Sequence, residues 1–160
     1  MQRSFRRATA LAAVALAVAC APPPAGAAPS AAASAVTGSG TASPGLGTTP
    51  QPQNFTGSCS ITGVFVAGTK PVPGTTGCSF TGSGSASVAE GVFSGTLVAT
   101  GPATLNATIN VAFVGTLAVL SGTATICSGV CGDPTPFVGV FVLVPTSVNP
   151  TTSFSFAGAI

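Results

Sequence analysis

The chain has no histidine, no tryptophan and no tyrosine, and only four basic and two acidic residues among its 160. Each absence removes a class of function. Without imidazole, a serine nucleophile lacks its usual base, and Lys70, between glycines and prolines, is the only alternative. A pair of catalytic carboxylates would have to be Glu90 and Asp133, each in a turn-like context where a solvated charge is the ordinary state. The chain therefore reads as a non-enzyme with no cofactor. Three of the four basic residues (Arg3, Arg6, Arg7) precede the first apolar run, which leaves one positive and two negative charges beyond it. Nucleic-acid binding, which displaces counterions with several Lys or Arg, is excluded on that count. So is electrostatic attachment to anionic lipid. The missing Trp and Tyr also remove the aromatic girdles of a membrane barrel and the platforms on which sugars stack.

What is present begins with a basic decapeptide followed by nine apolar residues, Leu11 to Ala19. That run is too short to span a bilayer, which takes ~20 apolar residues, and it reads as an export signal. Ala25-Gly26-Ala27 offers a small-x-small cleavage site, so residues 1–27 form the expected signal peptide. A second reading cuts before Cys20, where Leu16-Ala17-Val18-Ala19-Cys20 resembles a bacterial lipobox and the cysteine would carry a membrane-anchoring lipid. Either way the expected location is extracellular or at the cell surface. Residues 28–53, rich in Pro, Ala, Ser, Thr and Gly, show no apolar period and read as a disordered linker. Residues 54–160 then form the single folded domain.

That domain is written in period two. From Thr104 to Leu117 one row is Leu105, Ala107, Ile109, Val111, Phe113, Gly115, Leu117, and the other is mostly Asn, Thr and Ala. An alternation this long means a strand with one buried face. The same reading gives inner rows Phe55, Gly57, Cys59, Ile61, Gly63, Phe65, then Cys78, Phe80, Gly82, Gly84, Ala86, Val88, then Phe93, Gly95, Leu97, Ala99. Gly68 to Gly77, with two prolines, reads as a loop. Phe137 to Val144 is apolar on both faces and is expected to be covered on both. Ser153 to Ile160 closes with Phe154, Phe156, Gly158, Ile160 inward. No stretch beyond the signal sustains a helical period. The expected fold is all-β: a small antiparallel β-sandwich of immunoglobulin-like type, or a compact barrel of about seven or eight strands.

Phe-x-Gly recurs at Phe55, Phe80, Phe93, Phe113, Phe137 and Phe156. Glycine leaves a hole in a strand that a phenylalanine on the same face or the neighbouring strand covers, and inward glycines permit strong curvature. Four cysteines, Cys59, Cys78, Cys127 and Cys131, lie beyond Cys20 and form two disulfides in one of three connectivities. Cys127–Cys131 is the most local pair and leaves Cys59–Cys78, although simple hairpin register places Cys59 nearer Ala86. No Cys-x-x-Cys is present, so zinc is not expected.

Three non-enzymatic readings follow: a structural or interaction module of the cell envelope, a binder of a small apolar ligand, and a membrane-inserted barrel. In size and cysteine layout the domain is similar to the secreted actinobacterial chromophore-binding apoproteins. That likeness implies an immunoglobulin-like sandwich with an apolar cleft, and it transfers no binding residue.

Overall fold

The computed structural model describes residues 34–67, 70–147 and 150–160. The expected signal peptide, its cleavage after Ala27 and the lipid on Cys20 lie outside these residues. Nine strands follow in order: β1 Ala35–Ser43, β2 Gln51–Ala67, β3 Lys70–Ala86, β4 Glu90–Thr100, β5 Thr104–Val114, β6 Leu117–Ser128, β7 Val130–Cys131, β8 Thr135–Ser147 and β9 Thr152–Ala159. All pairings are antiparallel, and there is no helix among the described residues.

Each of the eight long strands pairs with the next long one, and β9 returns to β1, so the sheet closes into an eight-stranded up-and-down barrel. Two-residue β7 only folds back on the end of β6. Following the pairings once round the ring displaces the register by about ten residues, which for eight strands tilts them roughly 40° to the axis. Next to the closing seam, Ser34 and Ile160 exchange backbone hydrogen bonds of 2.8 and 3.0 Å. Closure removes every free edge along the long strands where they are paired on both sides, the surest protection against edge-to-edge aggregation. It also decides between the two expected architectures. The fold is the barrel, and the immunoglobulin-like sandwich is not formed.

The inner rows are those the alternation marks, and the ring gives the Phe-x-Gly pattern its meaning. Directly opposite Phe55 across the β2–β3 pairing is Gly82, and opposite Phe80 is Gly57. Phe93 faces Gly84, Phe113 faces Gly91, Phe137 faces Gly122 and Phe141 faces Gly158. Phe154 and Phe156 face Gly40 and Gly38. Every phenylalanine of the barrel except Phe65, which faces Val72, therefore lies across from a glycine. A Cβ on Gly40 would stand 2.7 Å from the Phe154 ring and 2.8 Å from that of Phe80, so the rings occupy the space the glycines leave. The outer rows of β1 to β3 are largely Ser and Thr, tied by cross-strand bonds such as Thr62–Thr75 at 2.8 Å.

Several expectations are corrected. The linker expected through residue 53 ends earlier: β1 runs through it and β2 begins at Gln51, so the domain includes residue 34 onward. β1 pairs on both sides, with Val36, Gly38, Gly40 and Ala42 inward. Its glycines hide the apolar period, because the aromatic mass on that stretch comes from β9 and β3. The expected loop at 68–77 is strand from Lys70, in register with β2 out to Ala67↔Lys70. β4 pairs only as far as Gly77, so Pro71 and Pro73 lie where β3 has no second neighbour and their missing N–H groups cost no ladder bond. The strand expected to reach Leu117 instead turns at Gly115-Thr116, with Gly115 at φ +59°, the glycine-first pattern of a tight hairpin. The turn switches the alternation: Ala118 and Leu120 point in, and Leu117 and Val119 point out. Finally, β8 is covered on one face only. Phe137, Gly139, Phe141 and Leu143 face the interior, whereas Val138, Val140, Val142 and Val144 are exposed.

Candidate functional site

A barrel this small either fills its interior with side chains or keeps room for one small ligand. Here the glycines opposite the phenylalanines thin the wall, and the rings do not fill all the space they open. Val36, Leu97, Leu120 and Phe141 form a waist shared by two cavities. On the side of the β5–β6 turn, a cavity of about 110 Å³ is lined by Phe55, Phe80, Phe93, Phe113, Phe154 and Phe156 together with Ile109, Val111, Ala118 and Leu143. Toward the β2–β3 hairpin, a second of about 150 Å³ is lined by Ile61, Phe65, Leu105, Ala124, Ile126, Phe137 and Ile160. The rings of the first are held against one another. Phe55 stacks on Phe93 at 4.3 Å between centroids, and Phe156 meets Phe80 and Phe141 edge to face at 5.8 and 6.0 Å.

The segment between β1 and β2 folds across the mouth of the Phe-lined cavity. The Gln53 side chain, 2 % exposed, accepts from the Gly45 N–H at 2.9 Å and donates to the Gly45 carbonyl at 2.8 Å. Leu46, which lines the cavity, donates its N–H to the buried Thr152 hydroxyl at 2.9 Å. Val88 donates its N–H to the Gly47 carbonyl at 2.9 Å. Gln53 and Thr152 are residues of the candidate site that sequence reasoning missed. Their signal is a polar residue at an inward position of a strand: Gln53 shares the parity of Phe55 on β2, and Thr152 that of Phe154 on β9.

No buried side-chain nitrogen or oxygen among the described residues lacks a hydrogen-bond partner. The interior therefore offers an occupant mainly aromatic faces and aliphatic groups, with the Thr152 hydroxyl, already accepting from Leu46, the one polar side chain in the Phe-lined cavity's lining, and it favours hydrocarbon. Among the described residues no group of three or more His, Cys, Asp and Glu comes together.

The sequence-predicted residues fall as follows. Cys59 and Cys78 are directly opposed on β2 and β3, Cα atoms 4.8 Å apart, and are disulfide-bonded. The hairpin register expected to separate them is corrected by the position of the turn, eight residues beyond Cys59 and eight before Cys78 at Ala67↔Lys70. Cys127 and Cys131 are bonded across the β6–β7 pairing, Cα atoms 4.0 Å apart. Both pairs suit an oxidising, extracellular environment. Glu90 and Asp133 are not brought together: one begins β4 beside the covered mouth, the other follows β7 at the opposite end of the barrel. Lys70 sits at the tip of the β2–β3 hairpin, away from both the mouth and Glu90. Cys20 lies outside the described residues. Compared with protein-family models, with curated proteins and with solved structures, the chain finds no match.

Proposed function

We propose that this domain is a non-enzymatic, exported binding module that holds a small apolar molecule inside its barrel. The single observation that carries this reading is the unfilled, phenylalanine-lined cavity with no buried side-chain polar atom left unpartnered. A purely structural module of the cell envelope gains nothing from unfilled core volume, since each unfilled space forfeits dispersion contacts. The dimensions set the ligand class. Apolar cavities of ~150 Å³ stay dry and accept benzene-sized guests, so each compartment suits a single small arene or a short hydrocarbon. The structural or interaction-module reading stands second, and it draws on the exposed valines of β8. A membrane-inserted barrel fits least. A spanning barrel needs an apolar band round its whole circumference and commonly a polar lumen, whereas here β1 to β3 face outward with Ser and Thr and the lumen is apolar.

The test is a thermal melt in buffer near-saturated with benzene, toluene or n-hexane. A guest at ~100 times its dissociation constant adds ~2.7 kcal/mol, or several degrees for a domain of this size. The control is Ala118→Leu, which places three extra carbons in the Phe-lined cavity from a fully buried position. The wild type should gain several degrees and Ala118→Leu should not. No shift with any of the three compounds would refute the reading.

A further inference from the structure

The outward face of β8 carries Val138, Val140, Val142 and Val144 in unbroken alternation, a line ~20 Å long. The pairings extend it sideways. Val142 is opposite Leu117 and Val140 opposite Val119 on β6, and Leu117 in turn is opposite Val114 on β5. On the other flank Ala157 and Ala159 of β9 continue the apolar surface without bulk. These aliphatic side chains are 44 to 72 % exposed. Such exposure on six valines and a leucine amounts to on the order of 600 Å² in one patch, at the upper end of what monomers leave uncovered.

We propose that this face is the two-fold interface of a homodimer, with β8 of one copy packed against β8 of another. The area is the first argument. A standard protein–protein interface buries ~800 Å² per partner, and a patch of this size supplies its apolar centre with room for a polar rim. The second argument is charge. Among the described residues the charge nearest the patch is Glu90, opposite Val114 at its edge, while Asp133 lies at the other end of the barrel. Two copies therefore meet without burying like charges. The third is shape and stiffness. β-branched side chains on a pleated sheet lose little rotamer freedom on docking, and a straight row on a single strand is matched by its own two-fold image, as an isologous interface requires. The patch holds no Lys, Arg, Trp or Tyr with which to grip a lipid headgroup layer.

The test is sedimentation velocity on the exported protein from 0.1 to ~100 μM, with wild type, Val140→Thr, Val142→Lys and the opposite-face control Thr81→Lys. Val140→Thr keeps volume and β-propensity and matches the hydroxyl rows elsewhere on the barrel, so it folds even if the charged variant does not. The expected result is a wild-type and Thr81→Lys dimer in the micromolar range. Val140→Thr should raise the dimer dissociation constant about tenfold or more, and Val142→Lys should yield a monomer with an unchanged circular dichroism spectrum. A wild type monomeric at ~100 μM would overturn the proposal. So would a monomer that floats with phosphatidylcholine vesicles and loses that binding on Val140→Thr, because the face would then be lipid-docking. A dimer unaffected by either valine substitution would overturn it as well.

Discussion

Gly91 on β4 lies opposite Phe113 on β5, and the pair tests whether glycines are there to receive rings. A Cβ added at Gly91 would stand 2.6 Å from Cε1 and 2.7 Å from Cζ of Phe113, and against the Cβ of Ala86 on the other side. Ordinary carbon contacts are ~3.5–4.0 Å, so in Gly91→Ala the Phe113 ring must retreat by about 1 Å. Overpacking of this kind costs ~1–3 kcal/mol. The ring borders the cavity and has space to move into, which places the cost in the lower half of that range. The backbone there is not left-handed, so alanine also recovers ~0.4–1 kcal/mol by restricting the unfolded chain. The net expectation is a loss of about 1 kcal/mol. Phe113→Leu removes the ring atoms in conflict and leaves only the contact with the Ala86 Cβ, so in the double variant the alanine should cost ~1 kcal/mol less than it does in the wild type. The coupling between the two sites is then ~1 kcal/mol or more, measured by urea denaturation with a common slope for all four proteins. Gly77→Ala is the internal contrast. Nothing lies within 4 Å of its added Cβ, so it should stabilise by ~0.4–1 kcal/mol. Additivity of Gly91→Ala and Phe113→Leu within ~0.5 kcal/mol would refute the claim that ring and glycine are matched.

Replacing both Cys59 and Cys78 by alanine opens a loop with a sequence separation of 19 and should cost ~3 kcal/mol, read from urea midpoints. Opening Cys127–Cys131, separated by only 4, should cost less, ~2 kcal/mol on the same entropic scale. Gln53→Ala strips both bonds from Gly45 and should cost ~1–3 kcal/mol, with amide exchange at Gly45 to Gly47 accelerating ahead of the barrel strands. The same variant should speed entry and exit of an apolar guest more than it changes affinity, measurable by ligand-detected relaxation exchange.

Much of the wall was legible as sequence. Period two placed Leu105, Ile109 and Phe113 of β5 inward, as it did Phe93 and Leu97 of β4, because a strand with one wet face writes its orientation in every second residue. β1 escaped for a physical reason. The middle two of its inner positions are Gly38 and Gly40, whose partners Phe156 and Phe154 come more than a hundred residues later, so no local window contains the aromatic mass that buries it. Pro71 and Pro73 read as a loop because proline breaks a central ladder, and only the topology shows that β3 has one neighbour there. Gly115-Thr116 is hidden in the sequence because the turn inverts the alternation while Leu117 and Val119 still look like core. An apolar cleft was one of the readings the sequence allowed, but its place and size had no local signal. Its volume is the difference between a ring circumference and the side chains inside it, and neither is defined until β9 meets β1.

That last meeting has a kinetic side. Every other pairing of neighbouring staves joins segments close in sequence, whereas Ala35 is matched to Ala159 across nearly the whole domain. A chain emerging from its N-terminal end can zip the meander from β1 to β8 while both borders stay open, and it has no continuous interior until the final stave arrives. The slow step is then one loop closure spanning the domain, and before it the half-built sheet carries two adhesive borders. Linking residue 160 to residue 34 and reopening the chain at the β2–β3 hairpin would leave the ring unaltered and make the β9–β1 seam local, but it would hand the domain-spanning closure to the β2–β3 pairing. Such a rearranged chain should reach the same native state with its last step moved to the seam that carries the Cys59–Cys78 bond.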